Sequence, residues 1–163
     1  MTDIFGLFEV EEGWRDKPYY CSEGYPTVGF GIKLGPKGAP LAHYTFTLPR
    51  TAGEVWLRCY LDEMTEEIRK FTAVNNALKM LAAHGTGSMY SDPRCAVLLS
   101  MCYQMGVAGV DQFRNTLAFM ESGDYTKAAV NMLASKWAKQ TPDRAQRHAK
   151  QMRTGQWAPE YPA

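Results

Sequence analysis

The chain has 163 residues, 45% hydrophobic and 21% charged, with 18 Lys and Arg against 17 Asp and Glu for a net charge of +1. That length and composition fit one globular domain, or two small lobes sharing a core, large enough to bury a core without disulfide or metal staples. The balanced charge argues against a dedicated nucleic-acid binder, and no run approaches the ~18 apolar residues of a membrane span.

Residues 1–9 lack the basic and apolar regions of a secretory signal. Cys21, Cys59, Cys95 and Cys102 match neither a disulfide framework nor a zinc pattern and read as free thiols. His43, His84 and His148 stand far apart in the chain, so no metal and no cofactor is expected.

In chain order, residues 3–12 predict a short helix with Asp3 as N-cap, Ile4, Leu7 and Phe8 on one face, and Gly13 as the stop. Glu11 and Glu12 then sit at the helix C-terminus, where the macrodipole disfavours negative charge, a setting suited to a proton donor. Residues 18–34 predict a β-hairpin around Ser22-Glu23-Gly24, with Pro26, Gly29 and Gly31 marking an edge or a close backbone approach. Residues 35–49 read as loop.

A capping box at Thr51 and Glu54 opens a long helix, whose stripe of Leu57, Leu61, Met64, Ile68, Phe71, Leu78 and Leu81 carries it to about residue 83. Its ~50 Å at 1.5 Å per residue is enough to join two lobes. Asp92-Pro93 starts a helix that is apolar nearly all round through Met105, the mark of a lobe centre. Shorter helices follow near 108–113, 116–121, 124–134 and 142–153, the last opened by Thr141-Pro142 and closed by Gly155. The expected architecture is α+β in one domain, 1–163: an N-terminal lobe over 1–60, a connecting helix over 51–84 and an all-helical lobe over 85–163.

Charge is uneven. Residues 127–153 hold seven basic side chains, Lys127, Lys136, Lys139, Arg144, Arg147, Lys150 and Arg153, against Asp143 alone. Such a run is either a set of solvated helix faces or a local positive field for an anionic polymer.

The segment richest in chemistry places Glu12, then eight residues, Cys21, then five residues, Thr27. An acid at a helix end thus precedes a hairpin bearing a thiol and a hydroxyl. With Gln104-Met105-Gly106, Phe113-Arg114-Asn115, Asn131, Trp137, Gln140 to Ala145 and Arg153 to Trp157, this resembles the T-even phage lysozymes, endolysin-type muramidases, over essentially the whole chain. The resemblance implies a lysozyme-like fold with a cleft between the lobes, and hydrolysis of the β-1,4 bond between N-acetylmuramic acid and N-acetylglucosamine in peptidoglycan, with inversion, for host cell lysis.

It further implies Glu12 as the acid, Cys21 and Thr27 around the attacking water, and Arg144 reaching the acid and Glu11. Lys33, Tyr103, Thr116 and Asn131 match positions that line the sugar groove, and Lys136 stands where an arginine pairs with the acid at Glu23. Cys21 occupies a position at which most such enzymes carry Asp. A thiol is mostly neutral at pH 7, and crowding by Glu12 and Glu23 would disfavour its thiolate further. It therefore activates water, attacks as a nucleophile, or is minor beside Thr27. A lytic transglycosylase and a catalytically inactive wall-binding protein are the competing readings. The expected partner is the peptidoglycan glycan strand, met by a monomer without stable membrane anchoring. Lacking a signal sequence, it would collect in the host cytoplasm and reach the wall after membrane permeabilisation.

Overall fold

The computed structural model describes residues 2–162, an α+β protein with a three-stranded antiparallel sheet near the N-terminus and a mostly helical remainder. Helix α1 (Ile4–Glu11) starts on Asp3, whose carboxylate accepts from the N–H groups of Phe5 (3.0 Å) and Gly6 (3.3 Å). Strands β1 (Arg15–Tyr20), β2 (Pro26–Gly29) and β3 (Ile32–Lys33) follow. The expected hairpin is therefore a wider meander with a third strand. Arg15 pairs with Gly29 and Tyr19 with Thr27, four steps along β1 against two along β2. The register shifts between Arg15 and Tyr19, a span that includes Pro18, which has no N–H to give the ladder. Gly29 and Gly31, at φ +64° and +81°, form the β2–β3 turn in a backbone region that favours glycine.

Residues 34–49 are irregular apart from one 3-10 turn at Leu41–His43. Helix α2 (Arg50–Ile68) begins with the Pro49 carbonyl accepting from Gly53 N–H at 3.0 Å. The expected Thr51–Glu54 capping box does not form: the helix already includes Arg50, which puts Thr51 inside its first turn, and Arg50 Nε takes the Glu54 carboxylate at 2.8 Å.

The long helix expected to residue 83 is in fact two. At its end, Lys70 N–H turns to Glu67 O and Phe71 N–H to Ile68 O, three-residue bonds that tighten the last turn, and Phe71 is extended at φ −113° and ψ 96°. Helix α3 (Thr72–His84) then restarts with Val74, Ala77, Leu78 and Leu81 buried.

The remainder is α4 (Pro93–Met105), α5 (Val107–Asp111), α6 (Arg114–Glu121), α7 (Tyr125–Leu133), α8 (Lys136–Gln140) and α9 (Pro142–Thr154). In α4 every side chain from Cys95 to Cys102 is buried, and Asp92 accepts from Cys95 N–H at 2.9 Å. The short α8 was not expected; Ser135 Oγ caps it by accepting from Ala138 N–H at 3.1 Å. Thr141 does not cap α9, its hydroxyl donating back to Trp137 O at 3.1 Å.

The chain divides into two compact units, Phe8–Leu61 and Met1–Leu7 with Asp62–Ala163. The first is centred on buried Phe8, Val28, Phe30, Ile32 and Leu57, the second on α4 with Leu117, Met120, Met132 and Met152. No helix among the described residues is long and apolar enough to cross a membrane.

Candidate functional site

Glu12 follows the last turn of α1, its N–H bonded to Phe8 O at 2.9 Å, and Gly13 at φ +79° leads the chain out. A Cβ on Gly31 would lie 3.6 Å from Glu12 Oε2, so the carboxylate rests against the β2–β3 turn in ordinary contact. What holds this corner is a device the motif analysis missed. Arg50 binds Glu9 and Glu54, both at 2.8 Å, and its guanidinium stacks 5.0 Å from the Trp14 ring and 4.8 Å from the Phe30 ring. Trp14 in turn covers Gly53, where a Cβ would come within 2.4 Å of the indole. The end of α1, the turn carrying Gly31 and the start of α2 are thereby tied to one guanidinium.

Cys21 sits half-exposed on the β1–β2 turn, where its N–H donates to Tyr25 O (3.0 Å) and its carbonyl accepts from Gly24 N–H (2.9 Å). Burial pushes the thiol up, but the backbone N–H groups of Tyr25 and Glu23, the Thr27 hydroxyl and the Lys33 ammonium outweigh it and hold the thiol below its ordinary value. The expected crowding by acids is overturned here. Glu23 is bound to Lys33 at 3.0 Å, and the lysine also lies 4.0 Å over the Tyr25 ring, so cationic charge faces the sulfur.

Thr27 is buried, and its hydroxyl reaches Tyr25 O at 2.8 Å as well as the sulfur of Cys21. One proton serves two acceptors, so the hydroxyl turns toward whichever carries more charge. Tyr19, the cross-strand partner of Thr27, went unremarked in the sequence. Burial raises its phenol, the Arg15 guanidinium 4.5 Å over its ring opposes this, and the charges of Cys21 and Glu12 raise it further. The acid and the thiol therefore share one electrostatic neighbourhood, with a phenol held neutral in it.

The helical unit contributes an open cavity of about 510 Å³. Thr116 and Asn131, joined at 3.3 Å, line it together with Lys136, Phe113 and Trp137. Trp137 is fixed by Gln104 Oε1 at 2.7 Å and by the edge of Phe113 at 6.4 Å. Amide, hydroxyl and aromatic surface in one groove suits a sugar polymer. Tyr103 is half-buried on α4 and is not part of this lining, though Met105 of the same helix is.

Arg144 is buried on α9, donating to Ser100 O at 3.2 Å and to its Oγ at 2.8 Å. His148, which the sequence left isolated, meets the same Oγ at 2.8 Å and Tyr161 OH at 3.3 Å. One assignment serves all of these: Arg144 donates to Ser100 Oγ, Ser100 donates to Nε2, and Nδ1–H donates to Tyr161. Of the expected site residues, Glu11, Glu12, Cys21, Thr27 and Lys33 thus fall in the β-containing unit, and Tyr103, Thr116, Asn131 and Arg144 in the helical one.

The β-containing unit thus carries a carboxylate against the β2–β3 turn and a thiol held below its ordinary value on the β1–β2 turn, and the helical unit carries a polar and aromatic groove. The phage lysozyme family matches residues 9–153, and the chain belongs to that family, one of glycoside hydrolases. It is 34% identical to the probable T4-type lysozyme 2 of Dictyostelium discoideum, covering 95% of this chain and 96% of that one. It is 30% identical to the pre-baseplate central spike protein of Enterobacteria phage T4 over 86% of this chain, which spans only 26% of that protein. A peptidoglycan hydrolase of Pseudomonas phage phiKMV is 28% identical over 86% of this chain and 14% of its own length.

Proposed function

We propose that the chain hydrolyses the β-1,4 bond between N-acetylmuramic acid and N-acetylglucosamine in peptidoglycan, with inversion at the anomeric carbon. The observation that carries this reading is that the Glu12 carboxylate rests against the β2–β3 turn of the same sheet whose β1–β2 turn holds the Cys21 thiol below its ordinary value. Protonated Glu12 donates to the departing glycosidic oxygen as the C–O bond breaks. A water on the opposite face attacks the anomeric carbon and gives its proton to the Cys21 thiolate, while Thr27 holds that water. The acid ends deprotonated, the thiol protonated, and solvent resets both. Thr116 and Asn131 bind the glycan strand. The setting we attach to this activity is host-cell lysis by an endolysin. Recovery of the chain from purified virions would instead give it a particle-borne role, in keeping with the spike protein among its relatives.

The test is digestion of isolated Gram-negative sacculi, with products weighed by mass spectrometry and the first-formed anomer read by NMR. Reducing ends of inverted configuration are expected, with a loss of about 10²–10⁴-fold in Glu12→Gln. Retained configuration would make Cys21 a nucleophile, anhydro ends would make the enzyme a transglycosylase, and no release would leave a wall-binding fold.

A further inference from the structure

Glu12 follows a helix of eight residues, shorter than the ~12–15 at which an isolated helix is even marginal in water, so the last turn depends on what packs against it. Gly13, next in the chain at φ +79°, has no side chain to anchor the acid from behind. Three points around Glu12 nevertheless converge on one cation. Glu9, three residues before it, accepts from Arg50 Nη2 at 2.8 Å. Trp14, two residues after it, holds its ring 5.0 Å from the same guanidinium. Phe30 adjoins Gly31, against which the Glu12 carboxylate rests, and its ring lies 4.8 Å from the guanidinium and 4.9 Å from the indole. Arg50 Nε meanwhile holds Glu54 at 2.8 Å, which fixes the cation to the first turns of α2.

We infer that Arg50 is a positioning residue for the cleavage reaction, holding the Glu12 carboxyl in place through the segments on either side of it and the turn against which it rests. The inference rests on the role of Glu12 proposed above. A general acid must come within about 2.6–3.2 Å of the oxygen it protonates, and a misplacement of ~1 Å can cost about 10²-fold in rate. Arg50 uses its fork and its flat face at once, two nitrogens on two carboxylates and the plane near two rings. A lysine has the charge but neither the fork nor the plane. The side chain is 35% exposed and its partners Glu9 and Glu54 are 41% and 33% exposed, and pairs so open to solvent add little to stability. What Arg50 determines is where the end of α1 lies. Its loss should therefore lower the rate out of proportion to the melting temperature, which a merely structural residue would not do.

The experiment measures kcat and KM on solubilised, uncross-linked peptidoglycan strands, thermal melting, and hydrogen exchange of the Glu12 N–H, which is bonded to Phe8 O and reports on the last turn without any turnover. Arg50→Met should lower kcat about ten-fold with KM nearly unchanged, and should speed Glu12 exchange while the amides of α4 keep their protection. Arg50→Lys should recover part of that loss. Glu9→Ala, which frees α1 from the guanidinium but leaves the ring contacts, should lower kcat by a smaller factor. Arg69→Met, which breaks the exposed pair with Glu66, should leave kcat unchanged. In a Glu12→Gln background, where the acid is gone, Arg50→Met should cost nothing more. Unaltered Glu12 exchange, a rise in KM alone, or an equal further loss in the Glu12→Gln background overturns the inference and leaves the proposed function intact. If the unmodified chain releases nothing, or Glu12→Gln cleaves at the full rate, the proposed function itself falls and this inference falls with it.

Discussion

Cys21 and Cys102 are the same side chain under opposite constraints. Cys21 lies on a turn whose N–H groups, Thr27 hydroxyl and Lys33 ammonium favour the thiolate, so its value falls although burial opposes the fall. Cys102 is sealed in α4, where burial, aided by the Glu67 charge, pushes it up to about 12. Their surroundings differ in the same way. The β-containing unit fixes its chemical groups by turn geometry and close ring-on-glycine packing, while the helical unit fixes Arg144 and His148 by buried hydrogen bonds around Ser100. Reactivity here depends on how many dipoles point at the atom, and the identity of the residue does not decide it.

The largest effect that tests this contrast is Gly53→Ala. The new methyl would stand 2.4 Å from the Trp14 ring, where Arg50 and Phe30 leave the indole little room, so a loss of about 3 kcal/mol is expected in denaturant melts. An unchanged midpoint would show that the packing around Arg50 is loose. In the helical unit Ser100→Ala removes the oxygen that Arg144 and His148 share, and should cost about 2 kcal/mol by taking an acceptor from the Arg144 guanidinium and a donor from His148 Nε2. Equal stability would mean that water replaces the hydroxyl.

Stability should also fall as pH rises from the ordinary thiol value of 9.0 toward 12. The unfolded chain gives up a proton that buried Cys102 keeps until about 12, so the native state binds more protons and loses ground. Cys95, also pushed up by burial, adds to the effect, and Cys102→Ala should flatten the slope. The Cys21 contribution has the opposite sign, present above 9.0 and lost as pH falls through its lower folded value, and its exposure keeps it small.

Labelling with iodoacetamide sharpens the comparison further. Exposed Cys59 and half-exposed Cys21 should react in the native state, with the Cys21 rate rising at a pH below the ordinary thiol range, and Cys95 and Cys102 should react only on unfolding. Native labelling of Cys102 would show that α4 opens locally. The smallest effect is expected for Lys33→Met, which should move the Cys21 labelling curve to slightly higher pH without altering the melting temperature.

Much of this was legible in the chain. Asp3 and Asp92 cap helices where their positions require it, since an N-cap is a contact within three residues. The all-round apolar run of α4 predicts burial on every side, and every side chain from Cys95 to Cys102 is buried. The break at residues 69–71 was not legible. No glycine or proline marks it, and Ile68, Phe71, Val74 and Leu78 keep helical spacing through it, so the pattern is the same whether or not the helix is continuous. Nor could Thr51 and Glu54 reveal that the helix would begin earlier, at Arg50, and that Arg50 would bind the Glu54 carboxylate.

The sequence by itself determined the acid–thiol–hydroxyl order, the helical and hairpin segments and the phage lysozyme family, because these depend on spacing along the chain. The tertiary structure alone decided the direction of the Cys21 titration, the Ser100 network of Arg144 and His148, and the Arg50 anchor. Each of these arises from groups distant in sequence brought within a few ångströms, where dipoles, charges and exclusion of water set the energy of a side chain.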